Sequence, residues 1–249
     1  MTDLGLIVGS GRRWLELDVA GTRVVDTPYG PPSGPVATAM FGRHAVPCLA
    51  RHGEPHRLAP HEVNYRANVR ALYDLGVRRV IAVNVVGAIA PDFAPGELAV
   101  PEQLIDYTWG RESTFGAPGG GVLHVEFDEP FDAPLRASLA AAIEACGFRA
   151  HGGVYGVTQG PRLETAAEID RLERDGCTMV GMTAMPEAAL ARELGMAYAV
   201  CALAVNFAAG RGPRGEGILA AIERHLATGM RRVRLVLDRV VPELCGDGR

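Results

Sequence analysis

Three short segments carry side chains suited to holding an anion. Gly9-Ser10-Gly11 follows the apolar run Leu4 to Val8, where backbone N–H groups and a hydroxyl can converge on one oxyanion. Arg51-His52-Gly53-Glu54-Pro55-His56 sets a fixed cation, with a fork that matches phosphate oxygens, beside two imidazoles that can donate further bonds. Met182-Thr183 closes another apolar run with a hydroxyl. Each has a plainer explanation: a tight turn, a solvated loop, and a methionine that fills core.

Two other chemistries find less support. A dinucleotide fingerprint is incomplete, because Arg12, Arg13 and Trp14 stand where its third glycine would follow, so a hydride-transferring enzyme rests on Gly9 and Gly11 alone. His52 and His56 are four apart, but Gly53 and Pro55 oppose a helix between them and no H-E-x-x-H glutamate is present, so no metal site is expected. Asn84-Val85-Val86-Gly87 and Asn206 also end apolar runs, the places where α/β sheets present ligands. Asn206 is the more informative, since an amide closing such a run needs hydrogen-bond partners.

The elements that must position these residues alternate along the chain. Strands are predicted at Leu4–Val8, Val80–Val83, Val154–Val157, Thr178–Met182 and Tyr198–Val205. Helices are predicted at Pro60–Leu75, Pro134–Ala145, Thr165–Arg174, Pro186–Leu194 and Glu216–Val240. Residues 110–121 (GRESTFGAPGGG) are the most loop-like stretch and a candidate mobile segment. The alternation implies an α/β fold: one domain over residues 1–249 with a mixed, largely parallel central sheet flanked by helices.

Composition narrows the partners. With 25 basic and 29 acidic side chains in 249 residues, the net charge is −4, which offers no footprint for nucleic acid or an anionic membrane. The longest apolar run, Ala197 to Val205, is too short to span a bilayer as a helix, and the first residues lack the pattern of a secretory leader. The five cysteines are odd in number and never in a C-x-x-C pair, which points to a reducing cytoplasm rather than a disulfide framework.

Arg51-His52-Gly53, Asn64-Tyr-Arg-Ala-Asn68, Gly160-Pro-Arg-Leu-Glu-Thr165 and Gly181-Met-Thr-Ala-Met-Pro-Glu187 occur in an order and spacing that resembles the trimeric purine nucleoside phosphorylases. The first two segments are most similar to the methylthioadenosine phosphorylase branch. The resemblance runs from about Leu4 to Leu237. It implies phosphorolysis: inorganic phosphate, a co-substrate, attacks C1′ of a purine nucleoside with no metal, cofactor or protein nucleophile. Catalysis then comes from proximity and from donors that bind best as charge develops on the base. A homotrimer with sites near the subunit interfaces is also implied.

Residue by residue, the resemblance places phosphate on Ser10, Arg51, His52, the backbone of Val85, and Thr183, and the nucleoside against Val86, Gly87, Leu163 and Met182. Asn206, Glu164 and His52 are the implied catalytic set. Two departures bear on the substrate. Where methylthioadenosine phosphorylases carry an Asp pair, this chain has Asn206 and Ala208. Asn206 can donate to N7 and O6, and Glu164 can accept from the N1 proton that only a 6-oxopurine carries. A site committed to one such edge rejects the other by roughly 10⁴–10⁵-fold. At the 5′ end, Gly217-Ile218-Leu219-Ala220 stands where inosine-cleaving relatives place a histidine, with Leu219 as the contact and His225 facing elsewhere. His124, from a neighbouring subunit, is implied to close that pocket. A 6-oxo base with a 5′-methylthio group is S-methyl-5′-thioinosine; inosine or guanosine, methylthioadenosine, and a nucleoside binder without turnover are the rival readings.

Overall fold

The computed structural model describes residues 2–117, 119–213 and 217–247. Among them eleven strands form one mixed sheet. Two strands, β5 (Arg79–Ala88) and β11 (Ala197–Phe207), run parallel through its centre. Both are apolar almost without a break because both sheet faces are covered. Val80, Ala82, Val86 and Ala88 of β5 and Tyr198, Val200, Ala202 and Ala204 of β11 enter one core cluster. Ile81, Val83, Ala199, Cys201, Leu203 and Val205 enter the other, as a two-residue side-chain period requires.

Helices α1 (Tyr65–Asp74) and α4 (Ala184–Glu193) pack together on the first face; α2 (Ala133–Ala145) and α5 (Ile218–Pro242) pack together on the second. A shorter helix, α3 (Ala166–Arg174), buries Ile169 and Leu172 in a third, smaller cluster. Its start is a capping box, with the Thr165 hydroxyl on the Glu168 N–H and the Glu168 carboxylate on the Thr165 N–H.

The predicted strands are present but longer at the centre of the sheet, and the predicted helices are present with shifted ends. Helix α1 begins five residues later than Pro60, because the Asn64 side chain accepts from the Ala67 N–H at 3.1 Å and caps it there. Helix α5 begins at Ile218, and the predicted start at Glu216 lies outside the described residues. Sequence reading did not reveal the meander of β2 (Asp18–Arg23), β3 (Val36–Phe41) and β4 (His44–Ala50). Exposed β2 carries no apolar periodicity, and β4 has Pro47 inside its run, a residue that argues against a strand.

One topological feature makes room for a site. β11 occupies one edge of β5 along its whole length. On the other edge β1 (Leu4–Val8) pairs in parallel as far as Val83, and β10 (Met179–Gly181) takes over, antiparallel, at Gly87. Between them, at Asn84, Val85 and Val86, that edge has no strand partner. The ends of β1, β4 and β10 all empty into this gap.

Candidate active site

A cavity of about 410 Å³ lies there, large enough for a small organic ligand. Its wall includes Gly9 and Ser10 after β1, Arg51 and His52 after β4, Val85, Val86 and Gly87 of β5, and Met182 and Thr183 after β10. Leu163, Glu164 and Asn206 complete the set that sequence reasoning assembled. Leu219 and His124 do not join it. Leu219 is 70% exposed, and Ile222 and Leu226, three and seven residues on along α5, supply the apolar wall in its place. His124 is exposed and lies outside the cavity of its own chain.

Arg51 corrects the expectation of a free guanidinium fork. Its side chain is fully buried, with Nε and Nη2 donating to the two carboxylate oxygens of Glu187 at 2.5 and 2.8 Å. Nη2 also donates to Asn84 Oδ1 at 2.9 Å, and Nη1 to the Val83 carbonyl at 3.3 Å. Of five guanidinium N–H groups one is left, on Nη1 beside Gly9, where an added Cβ would lie 2.6 Å away. Gly9 is therefore the residue that gives a ligand access to Arg51. Glu187 is itself fully buried and accepts from the Tyr198 hydroxyl at 2.9 Å. Burial and the adjoining carboxylate act oppositely on Arg51; the carboxylate wins, and the guanidinium stays charged.

His52 is corrected too. Its Nδ1 lies 2.8 Å from the Leu58 carbonyl, so the ring proton sits on Nδ1 and Nε2 is left as an acceptor. Burial, then the charge of Arg51, push its pKa down to about 3, so the imidazole is neutral. A neutral His52 therefore offers the cavity a hydrogen-bond acceptor at Nε2 rather than a donor. Its ring stacks on His56 at 4.4 Å, and His56 also lines the cavity. The Thr183 hydroxyl accepts from Asn84 Nδ2 at 3.2 Å and keeps its own proton to donate.

At the other end Glu164 is aimed by Thr158, whose hydroxyl donates to Oε1 at 2.6 Å and leaves Oε2 open. Asn206 donates one amide N–H to the Phe207 carbonyl at 2.7 Å. It thus has one N–H for a ligand, not the two that simultaneous donation to N7 and O6 would use. Gly87 sits against this amide: an added Cβ would lie 3.2 Å from both Asn206 Nδ2 and Val180 Cγ1.

Sequence reasoning missed Glu187, Thr158, Ile222, Leu226 and Arg57. Arg57 lines the cavity and donates to the Ser33 carbonyl at 3.0 Å, with no carboxylate partner among the described residues. Glu187 stands inside a recognised segment, but nothing in its neighbours announces a partner 136 positions away.

Fold and site together define an α/β protein with one cavity at a split in its sheet, lined by anion-suited donors at one end and by a carboxylate and an amide at the other. The chain matches the Phosphorylase superfamily over residues 3–242 and belongs to it. It is 53% identical over 222 residues to a probable S-methyl-5′-thioinosine phosphorylase of Xanthomonas campestris, covering 88% of this chain and 89% of the relative. A second protein of that description, from Pseudomonas syringae, is 49% identical over 97% of this chain and 99% of its own. Among solved structures, methylthioadenosine phosphorylase from Schistosoma mansoni in complex with adenine superposes with a TM-score of 0.91 at 33% identity, covering 98% of this chain and 92% of that one.

Proposed function

We propose that this enzyme cleaves S-methyl-5′-thioinosine with inorganic phosphate, giving hypoxanthine and 5-methylthioribose 1-phosphate, without metal or organic cofactor. The observation that carries the reading is one cavity with a carboxylate and an amide at one end and an aliphatic wall from α5 beside the anion turn. Phosphate rests on Ser10, the remaining Arg51 N–H, Thr183 and the backbone of Val85, and a P–OH donates a hydrogen bond to the neutral His52 Nε2. Met182 lies against the ribose while C1′ passes from base to phosphate. Glu164 Oε2 accepts a hydrogen bond from the N1–H of a 6-oxopurine, and the Asn206 N–H donates to the departing base, where it binds best as negative charge builds. Ile222 and Leu226 accept a methylthio group; a 5′-hydroxyl would go without a partner there.

A homotrimer would bring His124 of one subunit to the 5′ pocket of the next. Trp109 and Val122, both more than 70% exposed, give such an assembly apolar surface to cover. The five unpaired cysteines fit a reducing cytoplasm.

A second reading, inosine or guanosine as substrate, is favoured by His56, a polar group in the wall that could meet a 5′-hydroxyl. Base release from methylthioinosine, methylthioadenosine, inosine and guanosine, each with and without phosphate, separates the readings. Phosphate-dependent turnover strongest with methylthioinosine is expected. Preference for inosine would overturn the 5′ assignment, and preference for methylthioadenosine the base assignment.

A further inference from the structure

Arg111 lies in the loop after β7 (Gln103–Asp106), outside the cavity and in the segment whose sequence suggests mobility. The loop is irregular, but Arg111 ties it down. Nη1 donates to the carbonyls of Met182 and Met185 at 2.8 and 2.6 Å, and to the Tyr65 hydroxyl at 3.3 Å. Nη2 donates to the carbonyls of Gln159 and Thr158 at 2.8 and 3.4 Å. The guanidinium has no carboxylate among these partners, unlike that of Arg51.

The acceptors belong to the two segments that frame the nucleoside end of the cavity. Thr158 and Gln159 lead into Gly160-Pro-Arg-Leu-Glu164, and Thr158 also aims Glu164. Met182 and Met185 bracket the turn that carries Met182 and Thr183 into the wall. Thr158, Gln159 and Met182 lie outside helix and strand and Met185 has non-helical backbone inside α4, so these carbonyls take a donor from elsewhere. A planar fork is the side chain that can serve four carbonyls on two strands of chain at once; an ammonium cannot cover the same span.

We infer that Arg111 is a positioning residue that locks the base-recognition loop, residues 158–164, to the ribose-side turn, residues 182–185, and so sets the spacing between Glu164 and Met182. The inference rests on the phosphorylase reading of this cavity. It predicts a loss that falls mainly on the nucleoside side, because Ser10, Arg51 and His52 are held by β1, β4 and Glu187, and Thr183, which shares the pinned turn, is also held by Asn84.

The test compares the parent enzyme with Arg111→Ala and Arg111→Lys, using S-methyl-5′-thioinosine and inorganic phosphate, with KM and kcat measured for each. Arg111→Ala should lower kcat/KM for the nucleoside about tenfold to a hundredfold, the scale of a misplacement near 1 Å. The KM for phosphate should stay within about twofold, added guanidinium ion should restore part of the loss, and Arg111→Lys should fail to do so. Parent-like kinetics in Arg111→Ala would overturn the inference. So would an equal loss toward both substrates that tracks a fall in Tm and does not respond to guanidinium. If Arg111→Ala gives no folded enzyme, Arg111→Lys carries the test: a loss mainly on the nucleoside side supports the inference and parent-like kinetics overturns it. A parent enzyme without phosphate-dependent turnover would instead sink the reading of the cavity, a result distinct from any of these.

Discussion

The two ends of the cavity are built by different means. At the phosphate end Arg51, Asn84, Glu187 and Tyr198 form a buried network rooted in the sheet and in α4. Every charge there has an opposite charge or a hydrogen bond, so the end is rigid before any ligand arrives. At the nucleoside end Glu164 and Leu163 sit on a loop and Ile222 and Leu226 near the start of α5, and Leu163 is 37% exposed. Such a surface holds less free energy of its own and depends on pins such as Thr158 and Arg111. The lesson is that anion affinity and base selectivity should respond to different mutations.

The largest effect should follow from Glu187→Ala. Removing one partner of a buried ion pair leaves Arg51 uncompensated and should cost about 3–5 kcal/mol of stability. Denaturant titration measures this, and a loss under about 1 kcal/mol would mean that the phosphate end is not the rigid one. Thr158→Val comes next. The lost hydrogen bond to a carboxylate is worth about 1.5–3 kcal/mol. That should appear as a tenfold or greater rise in KM for 6-oxopurine nucleosides with phosphate KM unchanged; a shift in phosphate KM instead would dissolve the division between the ends.

Arg57→Gln should act at the phosphate end and more gently, because the side chain is exposed. A loss of about 0.2–1 kcal/mol corresponds to a rise in phosphate KM of up to roughly fivefold, larger at low salt. No salt dependence would remove Arg57 from the phosphate account. Leu219→Ser is the smallest: within about 0.5 kcal/mol in stability and little changed in kinetics, since Ile222 and Leu226 form the wall. A severalfold rise in KM for methylthioinosine would return Leu219 to the pocket.

Much of this was legible in the chain. Apolar runs ending in Met182 and Asn206 located two of the strand ends that meet at the cavity, the run to Asn84 stopped at the unpaired edge within β5, and Ser10, Arg51, His52, Glu164 and Thr183 all line the cavity. What remained hidden is of one kind. Asn64 and Asn68, prominent in the sequence, proved to hold the loop before β3: Asn64 Nδ2 donates to the Tyr29 carbonyl at 2.7 Å, and Asn68 bonds both the Ser33 N–H and hydroxyl. Side chains announce their type but not which distant backbone they will satisfy. Leu219 was expected in the wall, but Ile222 and Leu226 stand there instead, because local spacing does not reveal which turn of α5 reaches the cavity.

Residue types and their period therefore determined the class of fold, the covered sheet and the inventory of anion-binding groups, since burial on both faces and strand-end chemistry are written locally. Tertiary structure decided how those groups act. Only the meeting of β4 with α4 and β5 consumes four of Arg51's five donors, and only the Leu58 carbonyl puts the His52 proton on Nδ1 and makes Nε2 an acceptor. Hydrogen-bonding capacity belongs to a residue, but the share of it left for a ligand is whatever the folded neighbours do not take.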